Sequence, residues 1–296
     1  MDIRRAQAQD RAVVLALINA IDPDDYIPYC WDEWVADYEN GIPLVAWFDG
    51  SLLGLAHVQF LSQRVAWLQA LRVAPTARRL GVGTALTEAC LRSAARARRH
   101  IARLLIDIDN RASLSLTAKA GFTQIAEWLR LEKSLVASPS APLMRSPLPE
   151  HLPQLVKLAR QHGLDLWHTD WQTYDLDIEA LQVSLRKGSL QVLADKPTAT
   201  MLDIVYDEDD QEYKTYNPVG DPGATLELLQ AMEQAAYQQG LPRVAVLLAA
   251  DSPFVPHLQQ LGYEFARVQT ADGKYIKDGV TIWEYDLTTL LAAETN

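Results

Sequence analysis

Residues 71–88 read Leu71-Arg72-Val73-Ala-Pro75-Thr-Ala-Arg78-Arg79-Leu80-Gly81-Val82-Gly83-Thr84-Ala-Leu-Thr-Glu88. An apolar strand end meets a proline stop, and an arginine- and glycine-rich turn then opens directly into a helical pattern. A helix start carries backbone N–H groups without intrahelical acceptors, together with the positive end of the peptide dipole. Gly81 and Gly83 remove Cβ atoms from that mouth, so an anion can approach the main chain closely. Arg78 and Arg79 add positive charge at the same place. The turn therefore reads as a cradle for a diphosphate. No Lys-Ser/Thr pair follows the glycines, as a nucleotide-hydrolase loop requires, and the third glycine of a dinucleotide fingerprint is missing.

A second segment follows: Asp107-Ile-Asp-Asn110-Arg-Ala-Ser113-Leu-Ser-Leu116-Thr117-Ala-Lys119-Ala-Gly121-Phe122. The strand–Pro–R-x-x-G-x-G–helix pattern resembles the pyrophosphate loop of the GNAT superfamily of acyl-CoA-dependent N-acetyltransferases. The later segment is similar to that family's N-x-x-A-x-x-L-Y-x-K-x-G-F stretch. The resemblance implies an α/β fold, a mixed and mostly antiparallel sheet with helices on both faces. It also implies acetyl-CoA as acyl donor and no metal. Its diphosphate would sit on the N–H groups of Arg79, Leu80, Gly81, Val82, Gly83 and Thr84, with Arg78 alongside. Leu71, Arg72 and Val73 would offer their main chain to the pantetheine arm on a splayed strand. Asn110, with Ser113 nearby, would reach the pantetheine amides; Asn110 also suits a helix cap, and both roles can coexist.

Composition agrees with this reading. The chain has 296 residues, 49% of them hydrophobic, enough for two well-packed domains. Its first residues are charged and no apolar run is long enough to span a bilayer, so a soluble cytoplasmic protein without membrane partners is expected. Cys30 and Cys90 stand far apart without metal-ligand spacing. Residues 1–140 hold 16 Lys and Arg against 15 Asp and Glu, while residues 141–296 hold 11 against 23. So acidic a second half argues against nucleic acid as a partner. A monomer or homodimer is expected.

Along the chain, strand and helix patterns alternate, with Asp49-Gly50 as a hairpin signal. Residues 1–135 read as an acetyl-CoA-binding GNAT domain, 136–149 as a Ser/Pro-rich linker and 150–296 as a diverged GNAT-like domain. Helical patterns at 148–161, 177–186 and 224–239 and strands at 190–194, 199–205, 212–216 and 243–248 repeat the first plan. Gly262-Tyr263-Glu264-Phe265 echoes Gly121-Phe122. The second copy differs where the cradle should be. Its loop, Asn217-Pro-Val-Gly220-Asp221-Pro222-Gly223, has no arginine, and Asp221 would repel a diphosphate.

Attack of an amine on a thioester needs a route for the ammonium proton and donors for the oxyanion. The resemblance implies Thr117 where the family commonly has a tyrosine acid, and Gln69 near a frequent glutamate base. The proton path must then use other groups. Residues 22–38 resemble the family's substrate-covering region, and there Glu33, Tyr29 and Asp32 are the catalytic candidates, Tyr26 and Trp31 the substrate-binding ones. Asp25 and His57 are further titratable residues near the same place. The expected activity is transfer of an acetyl group from acetyl-CoA to a small-molecule amine, an amino acid or related metabolite among them. Acetylation of a protein N-terminus or lysine, and a non-catalytic acetyl-CoA-binding regulatory module, are the alternatives.

Overall fold

The computed structural model describes residues 1–136 and 141–294. They fall into two compact units. Met1–Ile106, Asn110–Ile125 and Ile282–Asn296 make up the first; Asp107–Asp109 and Ala126–Thr281 make up the second.

In the first unit come β1 (Asp2–Arg5), α1 (Arg11–Ile21), α2 (Ile27–Ala36), β2 (Gly41–Phe48), β3 (Ser51–Phe60) and β4 (Val65–Val73). They are followed by α3 (Val82–Arg96), β5 (Ile101–Asp107), α4 (Arg111–Lys119) and the start of β6 (Thr123–Ser134). The sheet order is β1-β2-β3-β4-β5, antiparallel as far as β4, with β5 parallel to β4. Asp49 (φ 47°) and Gly50 (φ 74°) make the tight hairpin turn between β2 and β3. Strand alternation then divides the core. Leu44, Ala46, Ala56, Val58, Ala66 and Leu68 pack with Leu86 and Cys90 of α3 on one face. Val45, Leu55 and Ala70 pack with Val14, Ile18, Ile27 and Trp31 of α1 and α2 on the other.

Ala66 and Leu68 face α3, yet Ala70 faces α2. A two-residue period forbids that unless the strand is interrupted. The interruption is a β-bulge: the β3–β4 register shifts between Leu55 and His57, and Ala70 has φ 59°. Beyond it the phase is reversed, so Leu71 and Val73 turn toward Gly83 of α3 while Arg72 turns toward α2. Here too β4 leaves its parallel neighbour. The β4–β5 pairs run from Val65↔Ile101 to Trp67↔Arg103 and stop.

The C-terminal strand, Gly279–Asp286, passes into the first unit at Ile282 and lies next to β5. Arg103 and Glu284 form an ion pair at 2.8 Å, Tyr285 meets Phe122 at 5.3 Å between ring centroids, and Leu287 is fully buried in the α3 core. A boundary placed at 136–149 does not capture this return.

The second unit contains β7 (Met144–Arg145), α5 (Leu152–Gln161), β8 (Leu166–Thr169), β9 (Gln172–Asp175), α6 (Ile178–Lys187), β10 (Leu190–Leu193), β11 (Thr200–Asp203) and β12 (Val205–Asp207). After them come β13 (Glu212–Tyr216), β14 (Val219–Gly220), α7 (Pro222–Gln238), β15 (Arg243–Leu248) and α8 (Val255–Gln260). β6, β15, β13 and β12 follow one another in one sheet, and β14, β11, β10 and β7 in another. α7 buries Leu228 and Met232 against Leu131, Val244 and Val246. The expected helices and strands are present, so both copies have the mixed α/β, GNAT-like build. The β8–β9 hairpin was not foreseen, because Asp170-Trp171 carries no strong turn signal although both residues adopt positive φ. Of the expected linker, Met144–Arg145 is a strand paired with β10, and residues 137–140 lie outside the described residues.

Candidate active site

Gly81 caps α3 at φ 81°, and Arg79 precedes it at φ 65°. Two left-handed residues within three positions fold the main chain so that successive N–H groups point outward. Among the described residues, the N–H groups of Arg79, Gly81, Val82, Gly83 and Thr84 have no hydrogen-bond acceptor; the helical ladder begins with Ala85 N–H to the Gly81 carbonyl. Arg78, Arg79, Leu80 and Gly81 are all exposed. A Cβ on Gly83 would stand 2.8 Å from Leu116 Cδ1, so glycine there allows α3 to approach α4. The turn is thus an open anion cradle. Leu80, 72% exposed, is an apolar rim on it.

Beside the cradle lies the opened strand. Ala74 N–H bonds the Leu53 carbonyl, so by ladder alternation the N–H groups of Leu71 and Val73 point away from β3. On that side β5 has already stopped pairing. An extended ligand can take the bonds β5 would have made. Asn110 is the N-cap of α4, its Oδ1 accepting from Ser113 N–H at 3.1 Å. The cap uses the amide oxygen of an exposed side chain.

The second unit has neither feature. β13 and β15 stay paired from Glu212↔Arg243 to Tyr216↔Leu247, and Asn217 N–H continues the ladder to the Leu247 carbonyl at 2.8 Å. The α3 cap at Gly81 lies eleven positions after Ala70; the α7 cap at Asp221 lies only four after Asn217, which also has positive φ (43°). No length remains for an anion loop. Asp221 itself accepts from Ala224 N–H at 2.9 Å, putting a carboxylate where a phosphate would go.

On the α2 side of β4 stand the expected acceptor-site residues. Asp25 is buried; its Oδ1 accepts from Ile27 N–H at 3.0 Å and its Oδ2 from Arg72 Nε at 2.6 Å. Tyr26 lies 5.9 Å from that guanidinium and edge-on to Trp34. Tyr26 is 43% exposed, but the packing around its hydroxyl pushes it up to about 12, so it is protonated at neutral pH. Tyr29 is 88% exposed and Glu33 is exposed on the same helix. Asp32 is also exposed but paired with Arg11 at 2.8 Å. Trp31 is fully enclosed in the core, so its ring packs α2 onto the sheet and offers no face to a ligand. His57 lies under Trp34, the rings stacked at 4.2 Å, with Gln69 Nε2 at 3.0 Å from its Nδ1. Burial pushes it down to about 3, so it stays neutral. Thr117 is buried. Sequence reasoning missed the Arg72–Asp25 pair and the Ala70 bulge, neither of which has a local residue signature. Among the described residues, no group of three or more His, Cys, Asp or Glu is arranged to hold a metal.

Residues 12–122 match the sequence profile of the Acetyltransferase (GNAT) family. No curated protein matches the chain. Solved structures with a similar fold include a tandem GNAT protein from the clavulanic acid biosynthesis pathway, with a TM-score of 0.58 at 14% identity over 97% of this chain and 98% of that one. A GCN5-related N-acetyltransferase from Sphaerobacter thermophilus gives 0.58 at 14% identity over 97% and 95%. Family profile, open glycine turn and splayed strand fall on the same residues of the first unit, whose fold is that of the GNAT acetyltransferases.

Proposed function

We propose that the first unit transfers an acetyl group from acetyl-CoA to the amine of a small molecule. The observation that carries the proposal is the run of acceptor-free N–H groups in the exposed turn, next to a strand whose outer edge is open. The diphosphate rests on Arg79, Gly81, Val82, Gly83 and Thr84, with Arg78 and Arg79 adding charge. The pantetheine arm runs along Leu71–Val73 towards the bulge, where a main-chain N–H polarises the thioester carbonyl. The amine lone pair attacks that carbonyl, the C–S bond breaks, and the thiolate leaves.

The proton path is short of strong groups. Gln69 stands where a base would be, held by His57 and Gln59, and the Thr117 hydroxyl is too weak an acid for the thiolate. Glu33 and Tyr29 are the exposed α2 groups from which a water chain can start, with Asp32 partly neutralised by Arg11. Alignment of amine and thioester supplies the main effect, worth roughly 7–11 kcal/mol in well-oriented systems. The locked Gln69 and buried Thr117 favour one second reading, a module that binds acetyl-CoA without turnover. Steady-state thiol release with a panel of small amines separates the two. Release dependent on one amine class supports transfer; tight acetyl-CoA binding with no release over the whole panel supports the sensor.

A further inference from the structure

The Arg72 side chain stands on the acceptor face, and the chemistry above uses only its main chain. We infer that its guanidinium is a carboxylate-binding group, and that the acceptor is an amine carrying a carboxylate. The inference rests on the acetyl-transfer reading of the first unit.

The bulge at Ala70 sets the arrangement. It turns Leu71 and Val73 toward α3 and Arg72 toward α2, so the guanidinium stands on the opposite face of the segment whose main-chain edge is open. Asp25, with a fully buried side chain, grips Nε at 2.6 Å and is itself fixed by capping Ile27 N–H. Nη1 makes a longer contact to the Leu71 carbonyl at 3.3 Å. Nη2 has no partner among the described residues, and the Arg72 side chain is 29% exposed. The Tyr26 ring lies alongside at 5.9 Å.

A surface arginine would spend rotamer freedom on binding an anion; this one is already held at Nε, with 29% of its side chain exposed. Because Nε is taken, the Nη1/Nη2 edge is the one left to form the paired contacts that a carboxylate favours. Asp25 is not free for a cationic substrate, since Arg72 occupies it. The local preference is therefore for an anion. An α- or β-amino acid places a carboxylate one or two carbons from its amine, and so offers this guanidinium an anion close to the nucleophile.

The test uses the full chain, the common L-amino acids, and the matching carboxamides. The wild type is expected to acetylate at least one acid with kcat/KM about 10- to 100-fold above its carboxamide, the range set by charge-assisted hydrogen bonds. In Arg72→Gln that ratio falls towards one through KM, while acetyl-CoA affinity measured by calorimetry stays within about twofold. Arg72→Gln leaves Asp25 buried and unpaired, so Asp25→Asn/Arg72→Gln is measured beside it and is expected to lose the same preference. Carboxamides used as well as acids, no acid turned over, or a ratio unchanged in both variants overturns the inference while acetyl-CoA binding persists. Loss of acetyl-CoA binding by the wild type overturns the acetyl-transfer reading instead, and this inference with it.

Discussion

At the scale of single residues, Gly83 works through space rather than backbone angle. A side chain there meets Leu116 at 2.8 Å and then Val73 and Leu71 just under 4 Å away. Gly83→Val is expected to weaken acetyl-CoA binding at least tenfold and to lower the melting temperature by a few degrees, checked by calorimetry and thermal unfolding. Both glycines of the turn were legible in the sequence because their spacing relative to arginine and proline is local. His57 was legible only as a titratable residue. Its neutrality comes from burial, to which Trp34, stacked on the ring from another element, contributes. The Arg72–Asp25 pair joins residues 47 positions apart, so no window of sequence displays it.

At the scale of elements, the contrast between β4 and β13 decides which unit offers an open strand edge beside a glycine turn. Both strands end near a residue of positive φ and lead into a long helix. The first then loses its parallel partner and gains a loop; the second keeps pairing and caps its helix with Asp221. Calorimetry is therefore expected to give one acetyl-CoA per chain. Asp221→Ala is expected to cost about 1 kcal/mol of stability through the lost cap, without creating a second equivalent. Two bound equivalents in the wild type would contradict the comparison. The missing arginine and the acid at 221 were legible in the sequence, whereas the closed ladder required the register.

For the whole molecule, Ile282–Asn296 completes the first unit although it follows the second in the chain. Strand periodicity at 281–286 was visible, but no local pattern says which sheet a strand joins. Leu287 is fully buried against α3, so Leu287→Ala is expected to cost roughly 2–5 kcal/mol and to weaken acetyl-CoA binding as well. Acid stability should follow the buried histidines, one in each unit. Burial pushes His57 and His168 from the ordinary 6.5 down to about 3. Their folded forms bind fewer protons than the unfolded chain between those values. Stability is therefore full above about pH 6.5 and falls on acidification, by up to ~1.4 kcal/mol per pH unit for each histidine. Denaturant melts from pH 7 to 4 check this; His57→Gln should flatten the dependence.

The most direct test of the account is a calorimetric titration of acetyl-CoA into the wild type and into Gly81→Asp. Gly81 has open space around its Cβ position but a backbone at φ 81°, so aspartate adds modest strain and one negative charge inside the cradle. The account predicts a single site in the wild type, and no measurable binding by a Gly81→Asp protein that still unfolds cooperatively. Equal affinity in the two proteins, or none in the wild type, would contradict it.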